Sequence, residues 1–369
     1  MSSSPIQAAT FRHPRNLFAA RLSEWASPIL KGAASFLSRA RPTPPASWRC
    51  GILLGADHIG DVLYNTASLP ILAEAFPQCE WHYVASPPAS DILANNPFIK
   101  SCVLSPDAIG SVDAAICYNS GGYWRDLIDV VRRGIPNRLG YVHKGFSALV
   151  THPVEINYPQ PYPAYFRDLV GQLTEREANW SLRPRIYPSP DDATKADGIW
   201  RETGFGGKPV VACFLTSRQA FGVWPARKFA EVVTHLEASG ALQMVLCGTT
   251  DEADLLGKLK SEFALKTPIL AGQLRLLELG CFLQKCAVVL CPDSGPRHLA
   301  NAVRTPVVFV RNFAVGKIET GAYCETEIDA APDLERVSPS EQEDAFDLLR
   351  PENVADLVRQ QARASKWDR

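Results

Sequence analysis

The chain has 369 residues, 46% of them hydrophobic, and a formal net charge of −1. This length predicts two domains of roughly 150 residues each, and the near-neutral charge excludes recruitment of nucleic acid through a global positive field. No stretch reaches the roughly 20 apolar residues of a membrane span, and the N-terminus lacks the apolar core and cleavage site of a secretion signal, so we expect a cytoplasmic protein.

The N-terminal extension, residues 1–49, differs from the rest of the chain in charge. Its single acid is Glu24, and its basic residues are Arg12, Arg15, Arg21, Lys31, Arg39, Arg41 and Arg49. Apolar residues recur between these charges at nearly helical spacing. The pattern favours either a basic amphipathic helix lying on an anionic membrane or a helix docked on the protein's own body. The proline-rich stretch 41–47 is expected to act as a stiff spacer.

From residue 50 onward, strands, turns and helices alternate. The strands predicted in the first domain are 50–55, 80–86, 101–105 and 113–119. A helix over 62–76 that tolerates Pro70 is predicted after the first strand. This alternation predicts a parallel sheet with covering helices.

A second set of elements begins after the segment 183–195, which is rich in proline and aspartate. Its predicted strands are 208–215, 241–248, 267–272, 287–291 and 305–310, and its predicted helices are 229–240, 251–263 and 274–286. A last helix is predicted over 350–365. Two α/β units in tandem leave a cleft between them, and ligands of such sheets bind at the carboxyl ends of the strands.

The ten cysteines are scattered along the chain without zinc-binding spacing. The closest set, Cys281, Cys286 and Cys291, has no neighbouring histidine pair. We therefore expect buried free thiols in a reducing compartment and no metal site.

The segment 291–303 joins two apolar runs through a polar turn, CPDSGPRHLANAV. Ser294 and Gly295 stand where a helix is predicted to begin, and Pro296 suits the first helical position. Unpaired backbone N–H groups and the positive helix end make this turn an anion site, above all for phosphate. The alternative is a plain helix cap made by Asp293 or Ser294. His298, about one turn into the helix, is placed to face the same ligand.

The segment 293–310 resembles the signature of the glycosyltransferase family of ADP-heptose:lipopolysaccharide heptosyltransferases. Three further segments agree with that family in chain order. Residues 55–77 resemble its N-terminal loop and helix, 216–233 its hydroxyl-rich loop and Trp-Pro helix start, and 246–255 its Gly-x-x-x-Glu turn. The resemblance covers roughly residues 50 to 365.

The resemblance implies an α/β protein of the GT-B fold: two Rossmann-like domains facing each other across a cleft, with a C-terminal crossover helix. The implied parts are the N-terminal extension and linker, an acceptor-binding domain, a nucleotide-sugar-binding domain and a C-terminal helix that packs back on the N-terminal domain. Their expected bounds are 1–49, 50–185, 186–335 and 336–369.

By position in these motifs, Asp61 matches the family's catalytic base. The residues expected at the donor are Thr216, Ser217, Arg218, Gly248, Glu252, Asp293, Ser294, Gly295, Pro296 and His298. The resemblance implies inverting transfer without a cofactor or a metal. One carboxylate takes the proton of the acceptor hydroxyl, while a helix N-terminus and hydroxyls hold the departing diphosphate.

One position departs from the family. Its members have a lysine just before the Trp-Pro pair, whereas this chain has Phe221 and Gly222. Either Arg218 or Arg297 replaces the missing charge, or the donor differs from ADP-heptose.

Cations also concentrate in the first domain, at Arg125, Arg132, Arg133, Arg138, His143 and Lys144. We expect Arg125, Arg138 and Lys144 to bind the carboxylates or phosphates of an acidic glycolipid acceptor. The alternative is a solvated charged face.

The sequence thus predicts an inverting glycosyltransferase that moves heptose or a similar sugar from a nucleotide-sugar, expected to be an ADP-sugar. The acceptor is a hydroxyl of a glycolipid or saccharide in lipopolysaccharide or cell-surface glycan synthesis. Two alternatives stay open: a GT-B enzyme with another nucleotide-sugar that acts on a protein or exopolysaccharide precursor, and a non-catalytic nucleotide-sugar-binding protein. We expect a cytoplasmic location, peripheral on the inner face of the membrane through residues 12–40, and no nucleic-acid partner.

Overall fold

A computed structural model of the chain describes residues 14–38, 41–55, 58–118, 123–143, 145–218, 221–334 and 337–365. The chain divides into two compact units. The first comprises Met1–Tyr158 and Pro163–Ser181, and the second comprises Pro159–Tyr162 and Leu182–Arg369. The N-terminal extension therefore belongs to the first unit.

The sheet of the first unit has six parallel strands in the order β3-β2-β1-β4-β5-β6. The strands are β1 Cys50–Leu54, β2 Glu80–Val84, β3 Ser101–Val103, β4 Ala114–Cys117, β5 Asn137–Tyr141 and β6 His152–Val154. The helices in this half of the chain are α1 Pro14–Trp25, α2 Ser27–Ser38, α3 Ile59–Thr66, α4 Leu69–Ala75, α5 Tyr123–Arg132 and α6 Tyr162–Thr174. This strand order is that of the Rossmann fold, and the chain reverses direction across the sheet between β1 and β4.

The sheet of the second unit has five parallel strands in the order β11-β10-β9-β7-β8. They are β7 Val210–Phe214, β8 Gln243–Cys247, β9 Val288–Pro292, β10 Val307–Val310 and β11 Glu327–Asp329. The helices are α7 Pro190–Glu202, α8 Ala226–Ala238, α9 Ala253–Glu262, α10 Leu276–Gln284, α11 Gly295–Ala302, α12 Lys317–Thr320, α13 Gln342–Asp347 and α14 Pro351–Ala364. In this doubly wound sheet the reversal falls between β7 and β9.

The inner strands are buried over nearly their whole length because helices cover both faces of each sheet. All residues of β7, β9 and β10 are buried, which explains why these strands are continuous apolar runs rather than alternating ones. The two parallel sheets predicted from the alternation of elements are therefore confirmed.

The helix predicted over 62–76 is two helices, so this prediction was wrong. The first, α3, ends at Thr66, and α4 begins at Leu69 with Pro70 in its first turn. A proline inside a long helix would clash with the preceding turn and lose a hydrogen bond, whereas in the first turn its missing N–H group has no helical partner to lose. The predicted strand over 267–272 is reduced to a single bridge between Leu246 and Ile269.

The C-terminal helix α14 packs on elements of the second unit. Val354, Ala355 and Val358 are fully buried in the same core as Val233 of α8 and Val308 of β10. Their spacing places these side chains on one helical face, and that face is covered by the second unit's own sheet layer.

The N-terminal extension docks on the first unit, as one of the two alternatives predicted. Ala34 and Leu30 pack with Ile52 of β1 and Leu149. The expected spacer is also anchored, because the Thr43 N–H group donates to Asn137 Oδ1 at 3.0 Å.

All ten cysteines are free thiols, most of them buried. None of the helices in the described segments has both the length and the apolar character needed to cross a membrane.

Candidate functional site

The predicted base of the first unit, Asp61, lies where the chain reverses direction across the sheet. Asp61 follows β1 and Tyr118 follows β4, and these two strands are parallel neighbours. The backbone N–H of Tyr118 donates to Leu54 O at 3.0 Å, so the two strand ends are tied together. In open α/β sheets this is the position at which ligands bind.

Asp61 is half-buried in the first turn of α3. His58 begins that helix in an extended conformation and does not cap it with its side chain. An acid in the first turn is favoured by the positive end of the helix. The carboxylate is therefore held at the carboxyl edge of the sheet.

A polar network lies beneath Asp61. Asn65, one helical turn further along α3, donates from Nδ2 to Tyr83 Oη at 2.9 Å, and the Tyr118 hydroxyl donates to the Tyr83 hydroxyl. Gly55 makes room for this arrangement, because a Cβ atom there would lie 1.9 Å from the Tyr118 ring. Burial raises the pKa of both tyrosines, and the Asp61 carboxylate adds a smaller effect in the same direction. Both hydroxyls stay protonated, and within this network the Tyr118 hydroxyl donates while the Tyr83 hydroxyl accepts.

The predicted donor residues of the second unit come from three neighbouring strands. Since β8, β7 and β9 are adjacent and parallel, the loops that follow them meet at one edge of the sheet. Glu252 joins two of these loops: its carboxylate accepts from the Thr216 hydroxyl and from Thr249 Oγ1 at 2.9 Å. Gly248 faces the same carboxylate, since a Cβ atom there would lie 3.0 Å from Glu252 Oε2. Glu252 thus fixes the hydroxyl-rich loop that contains Thr216 and Ser217.

The third loop leads into α11, whose N-terminus Ser294 does not cap with its side chain. The Ser294 hydroxyl donates instead to Pro292 O at 3.2 Å, and the Asp293 carboxylate accepts from Arg297 Nη1 at 2.7 Å. The plain cap considered for this turn is therefore not what the structure contains. Gly295 begins the helix and Pro296 follows in its first turn, which leaves the positive helix end for an anion.

Arg297 is a structural cation and does not replace the missing lysine. Its side chain is 1% exposed, and its Nε donates to Glu327 Oε1 at 2.5 Å. Two of its nitrogens also donate to backbone carbonyls, to Thr320 O at 2.8 Å and Gly321 O at 2.6 Å. Burial alone would lower the pKa of Arg297, but Asp293 and Glu327 outweigh it and raise the pKa well above its ordinary value. The guanidinium of Arg297 is charged, and its charge is paired inside the protein.

His298 lies beside this ion cluster as a neutral base. Its Nδ1 is 2.7 Å from the Tyr323 hydroxyl, and the two rings stack with centroids 5.6 Å apart. Burial, and then the positive charge of Arg297, lower the pKa of His298 well below its ordinary value. Any bond from His298 to a phosphate is therefore made by a neutral imidazole.

Gly222, two residues before Trp224, cannot be replaced by a lysine. Gly222 has a φ of +76°, and a Cβ atom there would lie 2.0 Å from Asn312 Oδ1 and 2.6 Å from the Ala314 nitrogen. Every other residue would be strained and would clash with backbone at this point. Arg218, exposed on the same loop, is the cation that remains of the two proposed as replacements.

The predicted acceptor residues lie in different environments. Arg125 is exposed in the first turn of α5, directly after the carboxyl edge of β4. Arg138 is buried, and it donates to Leu149 O and Ile135 O, each at 2.7 Å. Its prediction as an acceptor ligand is corrected, because its guanidinium supports the loop after β5. Lys144 lies outside the described residues.

Sequence analysis missed Glu327 and the hydroxyls of Tyr83, Tyr118 and Tyr323. Glu327 also accepts from Asn301 Nδ2 at 2.8 Å, and its carboxylate is fully buried. Burial opposes ionisation of Glu327, but Arg297 outweighs it and lowers the pKa. No local signal marks these residues, because each bonds to a side chain from a distant part of the chain.

Part of the chain is similar in sequence to a family of glycosyltransferases. Residues 139–311 match the model of glycosyltransferase family 9 (heptosyltransferase). Lipopolysaccharide heptosyltransferase 3 of Escherichia coli strain K12 is 34% identical over 96 residues, which cover 25% of this chain and 28% of that protein. The matched stretch therefore spans less than a third of the curated relative.

Two solved structures share the fold. The glycosyl transferase family 9 structure from Veillonella parvula has a TM-score of 0.74 at 17% identity, covering 86% of this chain and 98% of that one. Heptosyltransferase WaaC of E. coli, solved with ADP, has a TM-score of 0.62 at 15% identity, covering 85% of this chain and 99% of that one. Residues 139–311 thus match glycosyltransferase family 9 (heptosyltransferase), and the chain has the GT-B fold.

Proposed function

We propose that the protein is an inverting glycosyltransferase that moves heptose or a similar sugar from a nucleotide-sugar to an acceptor hydroxyl. The observation that carries this proposal is the position of the predicted residues. In each unit they lie at the carboxyl edge of the sheet where the strand order reverses: Asp61 in the first, and Thr216, Ser217 and the start of α11 in the second.

The chemistry assigns one role to each edge. Asp61 accepts the proton of the acceptor hydroxyl as the anomeric carbon gains oxocarbenium character. The start of α11 and the Ser217 hydroxyl donate hydrogen bonds to the departing diphosphate. The Thr216 hydroxyl, which donates to Glu252, holds the loop in place. A single attack by the acceptor on the donor sugar inverts the anomeric configuration, since no covalent sugar–enzyme intermediate intervenes.

We propose that this transfer needs no metal ion. Negative charge on the diphosphate is met by the helix end and by the exposed Arg218, which supply the stabilisation that a divalent cation would otherwise provide. Activity is expected to persist in EDTA. Loss of activity in EDTA that Mg²⁺ or Mn²⁺ restores would contradict the proposal.

An ADP-sugar is the proposed donor, supported by the family 9 match and by the ADP found in a heptosyltransferase of the same fold. A different nucleotide-sugar is the alternative donor, because this chain has no lysine just before the Trp-Pro pair and Gly222 admits no side chain. A thermal-shift comparison of ADP-, UDP-, GDP- and dTDP-sugars separates these donors, since a ligand that binds the folded state raises its stability. The largest shift is expected with the ADP-sugar.

The proposed acceptor is an acidic glycolipid or saccharide in lipopolysaccharide or cell-surface glycan synthesis, contacted by Arg125. Its lipid part places the reaction at the inner face of the cytoplasmic membrane. The decisive experiment is release of nucleoside diphosphate from the best donor with and without the glycolipid. Donor binding without release on addition of any acceptor would favour a non-catalytic sugar-nucleotide-binding protein.

A further inference from the structure

The outer face of the N-terminal helices presents an uninterrupted row of apolar side chains. Helical hydrogen bonding continues across the junction of α1 and α2, from Ala26 N to Leu22 O at 2.9 Å and from Leu30 N to Ala26 O at 3.0 Å. Phe18, Leu22, Trp25 and Ile29 are 69%, 50%, 80% and 73% exposed. At about 100° per residue, these four side chains fall within a sector of about 60°. We name them the apolar stripe.

The opposite face of the same helices is already occupied by the first unit. Ala20, Ser23 and Ala34 are buried there. Gly145 allows the close contact with this face: it has a φ of +85°, and a Cβ atom there would lie 2.8 Å from Ala20 O. The Ser23 hydroxyl accepts from Phe146 N at 2.9 Å. The apolar stripe is therefore held outward by contacts that do not involve it.

The charge around the stripe is positive. Glu24 is the single acid among the first 49 residues, and its carboxylate accepts from Ser147 N at 2.9 Å and Ser147 Oγ at 2.8 Å. Arg21 and Lys31 are exposed on the same helices. Glu24 is thus used within the first unit. At about 100° per residue, the exposed Arg21 lies about 40° from the edge of the apolar stripe, so a basic group borders it.

We propose that the apolar stripe is a membrane-docking surface that inserts into the headgroup region of an anionic lipid bilayer. Apolar insertion and attraction of basic side chains to anionic lipids act together at such helices. A second copy of the chain fits less well, because a symmetric contact would bring the basic groups of both copies together. The proposal rests on the peripheral location suggested above and is independent of the sugar chemistry.

The test uses the full chain and lipid vesicles, without donor or acceptor, so that binding and catalysis are measured apart. The wild type is expected to bind vesicles of phosphatidylglycerol and phosphatidylethanolamine, and to bind phosphatidylcholine vesicles weakly. The double variant Leu22→Ser/Trp25→Ser should lose about tenfold or more in partitioning. Leu104→Ser is the matched control, because Leu104 is also in the first unit and is 73% exposed. It should bind like the wild type.

Two further measurements keep the result interpretable. Melting temperatures should change little in both variants, since the replaced side chains are exposed. Wild-type tryptophan emission should shift to the blue on vesicle binding, and Trp25→Phe should bind while losing that shift. Unchanged vesicle binding by the double variant would overturn the proposal. The proposal would also be overturned if the wild type sediments as a dimer, the double variant sediments as a monomer, and the double variant still binds vesicles.

Discussion

The turn from β1 to α3 and the turn from β9 to α11 have the same local design and opposite electrostatics. Each follows a buried strand and leads into a short helix at the carboxyl edge of a sheet, with an aspartate in the first turn of α3 and just before α11. In the first, Asp61 lies above neutral hydroxyls and an amide. In the second, Asp293 binds Arg297 at 2.7 Å within a buried ion cluster.

The difference shows that the position of a carboxylate in a motif does not define its role. Asp293 and Glu327 both pair with the guanidinium of Arg297, and these ion pairs hold α11 against β11. What α11 offers a ligand is then its backbone end and a neutral histidine. The charged group proposed for proton transfer is Asp61 of α3.

The largest expected effect is on the first turn. Asp61→Asn keeps the side-chain shape and removes the base, so the rate of transfer should fall about 10³-fold, within the range of general-base catalysis. Calorimetric titration with nucleoside diphosphate should give a dissociation constant close to that of the wild type. Activity within a few-fold of the wild type would remove Asp61 as the base.

Substitution in the ion cluster beside the second turn should instead lower the free energy of unfolding. Glu327→Gln leaves the buried Arg297 with one carboxylate, and breaking a buried ion pair costs about 3–5 kcal/mol. The matched control is Glu325→Gln, because Glu325 pairs with Arg183 while its own side chain is 72% exposed. Denaturant unfolding should show a large loss for Glu327→Gln and little change for Glu325→Gln. Equal losses would mean that the cluster contributes no more than a surface pair.

The neutral state of His298 predicts a pH dependence. Its folded-state pKa is well below its ordinary value, so the unfolded chain takes up the proton first as the pH falls below about 6.5. This stabilisation is complete above that pH and is lost below it, by up to about 1.4 kcal/mol per pH unit. His298→Gln should flatten the pH dependence of the unfolding free energy between about pH 6.5 and 5. Parallel curves for the two proteins would argue against a buried neutral histidine.

Gly295→Val tests whether the start of α11 holds the diphosphate. The added side chain would occupy space beside the helix N–H groups, and affinity for nucleoside diphosphate should fall about tenfold or more, equal to about 1.4 kcal/mol. Gly257→Val in α9 is the control, since a Cβ atom there meets nothing within 4 Å. Its affinity should match that of the wild type. If both variants bind alike, the diphosphate lies elsewhere.

The smallest effect is expected from the hydroxyl network near Asp61. Tyr118→Phe removes one hydroxyl from the network with Tyr83 and Asn65, and kcat should fall a few-fold with KM nearly unchanged because substrate contacts are kept. Tyr141→Phe, in a fully buried tyrosine of β5, is the control and should leave kcat unaltered. A change in KM alone would assign Tyr118 to substrate binding.

Much of the fold was predictable because it depends on local pattern. Apolar runs marked most of the strands, and the family-like segments placed Asp61, Thr216 and Ser294 at strand ends, where the structure has them. Prediction failed where tertiary contacts decide. Arg138, predicted to bind the acceptor, instead donates to the carbonyls of Ile135 and Leu149.

Amino-acid order by itself determined the two parallel α/β units and the turns that lead into α3 and α11, because hydrophobic period and helix-start residues act over a few positions. Only the tertiary structure decided what the charged residues do. Arg297 meets Glu327 from 30 positions away, and Gly222 is required by a loop some 90 positions later. Burial and pairing set the charge and availability of a side chain, and both arise from contacts between distant segments.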